Sequence, residues 1–137
     1  MKRAYILHLD GEQVRLRLTV AGQRSLRERF GEDSLQIILE SAADAEKMAA
    51  LLEAALNWSG SENTIRSGEE LYDRLVDEGW SGQAQFGGLA FDIAAASGLV
   101  SPEQARQLKQ AVAQAVEEAF QMLEEDGEDG DDPFPED

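Results

Sequence analysis

His8 is the single histidine in the chain, and cysteine is absent. These two facts remove most of the chemistry that side chains perform. Thiol catalysis, disulfides and thiolate metal sites all need cysteine. A zinc site at His8 would need His or Cys neighbours, and the sequence supplies none. His8 is also out of phase with Leu7 and Leu9, so in a strand it faces away from them, as a surface histidine does. Ser59, Ser67, Ser81 and Ser101 have no Gly-x-Ser-x-Gly elbow around them. Three of them, Ser67, Ser81 and Ser101, precede apolar periodic stretches, where a hydroxyl caps a helix. Gly87-Gly88 lacks the Gly-x-x-x-x-Gly-Lys spacing of a phosphate loop. Glycines in such a stretch let two helices approach closely. The pairs Glu69/Asp73 and Asp73/Asp77 stand four apart on one helix, where like charges mildly repel and belong to a solvated face. A calcium loop in the acidic terminus fails as well. With Gly130 in its sixth place, Gly127 occupies a ligand position, and Pro133 and Pro135 oppose the helix that must follow. The expectation is a chain that is not an enzyme and holds no cofactor or metal.

The elements that would position any site are marked by helix punctuation. Ser67 to Ala105 holds three helix starts and two stops. Ser67 with Glu70 has the capping-box spacing, Leu71, Leu75 and Val76 share a face, and Gly79 ends that helix. Ser81 opens the next, with Phe86, Leu89, Ala90, Ile93 and Ala94 as its buried stripe and Gly98 as its stop. Ser101-Pro102 opens the last, with proline at the first helical position. Upstream, Ala4 to Leu9 and Gln13 to Leu18 alternate around Asp10-Gly11-Glu12, a hairpin signal. Thr19 is set to cap a helix from Val20 to Phe30 that Gly31 stops. Gly22 weakens it by roughly 1 kcal/mol relative to alanine. Leu35 to Glu40 is a short segment, and Ser41 is set to open a helix from Ala42 to about Leu56. Its stripe is Ala45, Met48, Ala49, Leu52 and Leu56, and a loop from Asn57 to Arg66 follows. The fold class is α+β, mostly α: an N-terminal β-hairpin, about five helices and a disordered acidic C-terminal tail. One α-rich domain spans 1–125, and the tail spans 126–137.

Charge is distributed unevenly along the chain. The net value is −16, from 28 acids and 12 bases. Glu124 to Asp137 holds nine of the acids and no base, leaving nineteen against twelve in the body. Seven of the twelve bases fall in the first twenty-nine residues. This balance argues against duplex DNA, whose binding needs cations that release phosphate counterions. No apolar run approaches the ~18 residues that span a membrane. MKRAYILHLD is too short in its apolar part for a secretory signal, so a cytoplasmic setting is expected.

Surfaces remain as the source of function. Trp58 and Trp80 lie in a loop and at a helix edge, where tryptophan serves either as a core lid or as an interface anchor. On the last helix, Ala105, Leu108, Val112, Ala115, Ala119 and Met122 repeat at alternating threes and fours, a narrow seam. Val116, Phe120 and Leu123 widen it. The residues expected to bind a partner are Trp58, Trp80, Leu108, Val112, Val116 and Phe120. The seam can pair with a client helix or with a second copy of the chain.

Two stretches add a resemblance. RLRLTVAGQRSLRERFGEDSL (Arg15 to Leu35) resembles the opening of tail assembly chaperones of long-tailed bacteriophages, where a strand ending in Leu-Arg-Leu-Thr runs into a helix closed by Phe-Gly. ALNWSGSENTIRSGEELYDRLVDEGWS (Ala55 to Ser81) is similar to their middle segment, with a tyrosine-bearing helix that ends at an acidic residue and glycine. The pattern covers roughly residues 5–100 and contains no catalytic motif. The resemblance implies a protein of the bacterial host cytoplasm that binds the long, apolar tape measure protein and keeps it soluble. It also implies help in recruiting tail tube subunits. Such chaperones often have a longer, frameshifted form, which would place the acidic tail near that junction. A competing expectation, from charge alone, is an acidic regulator or decoy that occupies a nucleic-acid-binding protein.

Overall fold

The computed structural model describes residues 3–128. The fold is α+β and mostly α, a two-stranded antiparallel hairpin followed by six helices. Strand β1 (Tyr5–Leu9) pairs with β2 (Glu12–Leu16), Leu9 lying opposite Glu12. The turn is therefore Asp10-Gly11 alone, one residue shorter than the sequence suggests. Both residues have positive φ, 50° and 77°, which this dipeptide tolerates. Alternation puts Leu7, Leu9, Val14 and Leu16 in the core and leaves His8 exposed.

A two-stranded sheet leaves raw edges, and here the edge of β2 is covered. Asn63 does most of this. Its Oδ1 accepts the Arg15 N–H at 2.8 Å, and its Nδ2 donates to the carbonyls of Arg15 (2.7 Å) and Leu56 (3.1 Å). The indole N–H of Trp58 donates to the same Arg15 carbonyl at 3.1 Å. One residue beyond the strand, the Arg17 N–H donates to the carbonyl of Ala55. The loop after the third helix thus stands in for a third strand.

The helices are α1 (Val20–Phe30), α2 (Ser34–Ser41), α3 (Ala45–Leu56), α4 (Gly68–Asp77), α5 (Gly82–Ala96) and α6 (Pro102–Glu128). Thr19 caps α1 and Gly31 closes it at φ 69°. The short segment after it is a full helix, α2. The expected start of α3 is corrected: Ser41 ends α2, buried, with its hydroxyl donating to the Ile38 carbonyl. Asp44 caps α3 instead, its carboxylate accepting from the N–H groups of Glu46 and Lys47. A carboxylate suits that place better than a hydroxyl, because its full charge meets the positive helix end. Next to this cap, the Lys47 ammonium sits between Glu32 and Glu40 and ties α2 to α3. The Gln36 amide and Lys47 hold the Glu40 carboxyl down at about 2, and the two carboxylates push Lys47 above its ordinary range.

Helices α3 and α5 form the centre. In α3 the buried side is Met48, Ala50, Leu51, Leu52, Ala55 and Leu56, broader than the expected stripe, while Ala45 is exposed. In α5 the buried set runs unbroken from Phe86 to Phe91 and on to Ile93 and Ala94. Two glycines set the spacing. A Cβ on Gly68 would lie 1.8 Å from the Ala49 carbonyl oxygen, so α4 crosses α3 in direct backbone contact. A Cβ on Gly87 would lie 3.0 Å from Ala42 and 3.6 Å from Val112, so α5 passes between the α2 end and α6. Gly87-Gly88 is a packing feature, as its sequence context implies.

Candidate partner-binding surface on the last helix

Helix α6 begins with a complete capping box. Gln104 N–H donates to Ser101 Oγ at 3.0 Å, and Ser101 N–H donates to Gln104 Oε1 at 2.8 Å. The two earlier starts are half boxes. Ser67 accepts from the Glu70 N–H, whereas at Ser81 it is Gln85 that accepts the serine N–H. The box fixes the direction in which α6 leaves the short connection after α5.

The helix packs antiparallel on α5. Lys109 reaches Asp92 at 3.1 Å, while Val112, further along, faces Gly87. Rising numbers on α6 therefore meet falling numbers on α5. Extending that relation, Gly82 at the start of α5 falls opposite roughly residue 117. α5 is 15 residues long and α6 is 27. At about 1.5 Å per residue, the last eleven or so residues of α6 continue for ~16 Å beyond the end of α5.

The apolar stripe continues onto the first of them, as far as Leu123. Ala105 is buried, and Leu108, Val112 and Val116 are half-buried. Phe120 is 62% exposed, Met122 65% and Leu123 66%. Leu108, Val112, Val116 and Phe120 are spaced by four, a step that advances about 40° around a straight α-helix, so the row slants and Phe120 lies at the border of the stripe while Leu123 stays within it. The expected narrow seam through Ala115 and Met122 is corrected in part: Ala115 is exposed and Val116 takes the inward position. A helix of 3.6 residues per turn drifts off a strict heptad unless a supercoil holds it.

The charges around this stripe are of one sign. Arg106 pairs with Glu103, and Lys109 with Asp92. After Lys109 the sequence contains no lysine or arginine and eleven acids. Among the described residues, none of the ion pairs includes Glu117, Glu118 or Glu124, and Glu118 only accepts the Gln114 amide at 3.3 Å. Glu117 and Glu124 stand three before and four after Phe120, so both border it on the helix surface.

Of the other residues singled out in the sequence, Trp58 is only 6% exposed, and it serves as a lid over the hairpin edge. That answers the choice left open for it and removes it from the accessible surface of this chain. Trp80 is half-buried against Phe86, 5.8 Å between ring centroids, and Phe86 stacks on Tyr72 at 4.6 Å. Trp80 lies just ahead of α5, at the end past which α6 extends. The expected surface residues thus divide. Phe120 lies on the overhang and Val116 just before it, Leu108 and Val112 anchor α6, and Trp58 is elsewhere and covered. Sequence reasoning passed over Asn63, whose polar type in a Ser- and Gly-containing loop gives no sign of its role.

A groove of about 600 Å³ between α3 and α4 is lined by Glu46, Glu53, Glu69, Asp73, Arg29 and Tyr72 among others. Glu53 already accepts the Gly68 N–H. The lining has no histidine, serine or cysteine, and no described residues form a group of three or more His, Cys, Asp or Glu placed to hold a metal ion. No described helix is long and apolar enough to cross a membrane.

Compared with protein-family models, curated proteins and solved structures, the chain finds no match.

Proposed function

We propose that this chain works by binding another protein rather than by catalysis, as an assembly chaperone of the phage-tail kind. In that role it holds the tape measure protein in solution in the bacterial cytoplasm and helps bring tail tube subunits to it. One observation carries the binding role: the α6 stripe runs past the end of α5 and presents Phe120 and Leu123 to solvent. Exposed apolar side chains at helical spacing are costly to a lone chain and are the usual anchors of helix recognition. The acids around them keep such a surface from associating indiscriminately. The assignment to tail assembly rests on the resemblance of Arg15 to Leu35 and Ala55 to Ser81.

Co-expression with a long helical tape measure protein tests it. The client is expected in the soluble fraction, and Phe120→Ser with Leu123→Ser is expected to return it to the pellet. A client that stays insoluble with the unaltered chain ends the proposal. The acid run after Lys109 supports the second reading, an acidic decoy of a nucleic-acid-binding protein. Truncation after Glu125 separates the two: a decoy loses its partner, and a helix-binding chaperone retains it.

A further inference from the structure

We infer that the overhang of α6 receives an amphipathic helix from another protein, one whose apolar seam is bordered by lysine and arginine. This rests on the binding role proposed above and specifies the chemistry of the partner. Shape comes first. Up to roughly residue 117, α5 covers the α6 stripe, and Val116 is its last half-buried member; beyond it, Phe120 and Leu123 continue the stripe with α5 no longer alongside. A helix lying where α5 would lie if it were longer would cover Phe120 and Leu123. The apolar part of the overhang, Phe120 to Leu123, is about one turn long and is followed by acids, so it meets a partner's seam at i and i+3 or i+4.

Charge then selects the occupant. Glu117 and Glu124 border Phe120 with no cation paired to them among the described residues. Both cations of α6 are engaged by acids of the same chain. A second copy would bring the same acids to the same stripe, on a chain of net charge −16. Like charges flanking a helix pair disfavour it, and opposite charges steer and select the partner. A helix with lysine or arginine beside its seam meets both demands. Its charged heads reach Glu117 and Glu124, and its aliphatic stems add cover over Phe120.

The test uses the full chain and three labelled synthetic peptides. Two share one leucine seam, flanked in one by lysine and in the other by glutamate. The third is a scrambled lysine peptide without the seam. Fluorescence anisotropy is expected to give the seamed lysine peptide about tenfold or more tighter binding than the glutamate peptide. That advantage is expected to shrink as salt shortens the screening length. Glu117→Lys with Glu124→Lys is expected to invert the preference, and Phe120→Ser with Leu123→Ser to abolish binding. Equal binding of the two seamed peptides overturns the inference, as does a scrambled lysine peptide that binds equally well. A concentration-dependent dimer in sedimentation that Phe120→Ser with Leu123→Ser makes monomeric also overturns it, since a second copy then fills the stripe. Failure of the function proposed above is distinguishable. A seamed lysine peptide that binds while the tape measure client stays insoluble removes the chaperone reading and supports this inference. A client solubilised through Phe120 and Leu123 yet indifferent to the charge reversal overturns this inference and supports the chaperone reading.

Discussion

The two halves of α6 carry the same kind of residue at the same spacing and meet opposite surroundings. From Ala105 to Val112 the stripe lies on α5, close enough that Val112 faces the bare backbone of Gly87. Past Val116 it leaves that support and ends at Leu123, 66% exposed. The apolar stripe itself does not stop between the halves, although the charges beside it turn wholly acidic after Lys109. What changes is the length of the neighbour, since α5 stops at Gly82. A hydrophobic seam read from sequence therefore states what a helix can cover, and the length of its companion states how much is covered. In the body, buried contacts set stability. On the overhang, exposed ones are free for binding, and substitutions should separate the two.

The largest effect is expected at the tightest contact in the body. Gly68→Ala places a methyl where Ala49 and Glu53 backbone atoms already stand. Backbone cannot step aside as a flexible side chain does, so α4 must leave α3. We expect a loss of more than ~4 kcal/mol in urea unfolding, or no folded protein. A variant that melts like the parent would show that α4 is not seated on α3 as described. Phe91→Ala follows, with the ring fully enclosed in α5. Truncating a buried phenylalanine costs about 3–5 kcal/mol. Asn63→Ala comes third. It strands the Arg15 N–H and leaves the Leu56 carbonyl short of a donor, while the Trp58 indole still serves the Arg15 carbonyl. Leaving buried backbone groups without partners costs about 1–3 kcal/mol, measurable by the same unfolding curve.

These positions also mark what the sequence could reveal. The hairpin turn, the caps at Thr19, Ser67 and Ser101, and the glycine stops at Gly31, Gly79 and Gly98 depend on local backbone chemistry, so their residue types announce them. The α5 stripe was legible because its apolar period is dense. The start of α3 is ambiguous in the sequence because Ser41 and Asp44 both have capping side chains. Only the tertiary fold shows that Ser41 is buried in α2 and bonded back to Ile38. Asn63 and the extra buried residues of α3 depend on contacts far apart in the chain, between loop and hairpin or between helices, which periodicity does not encode. For the candidate site, the stripe was visible in sequence but its exposure was not. That depends on where α5 ends relative to α6, a relation between two elements.

A smaller effect probes the clasp between α2 and α3. Glu40 has its carboxyl lowered from 4.5 to about 2 in the folded chain. An acid with a depressed folded value stabilises the fold above its unfolded value, and that help fades as pH falls through the folded one. Thermal stability is therefore expected to fall between about pH 4.5 and pH 2, with Glu40 contributing to the slope. Replacing Lys47 by methionine removes one cause of the depression, so the variant should lose less stability across that window. Melting curves at matched ionic strength read this directly. An unchanged acid limb would mean that the clasp does not hold Glu40 in its charged form.

The smallest effect on stability is expected where the consequence for binding is largest. Phe120→Ser with Leu123→Ser removes two large apolar side chains that the folded body hardly covers. Exposed substitutions of this kind change unfolding free energy by within about 0.5 kcal/mol. The same pair of changes at Leu108 and Val112, on the supported half, should cost several times as much, because those side chains pack against the core. The ratio of the two losses in paired urea titrations measures how far the companion helix reaches. Similar losses at both sites would mean that α6 is covered along its whole length, and the surface assigned to a partner would then belong to the fold.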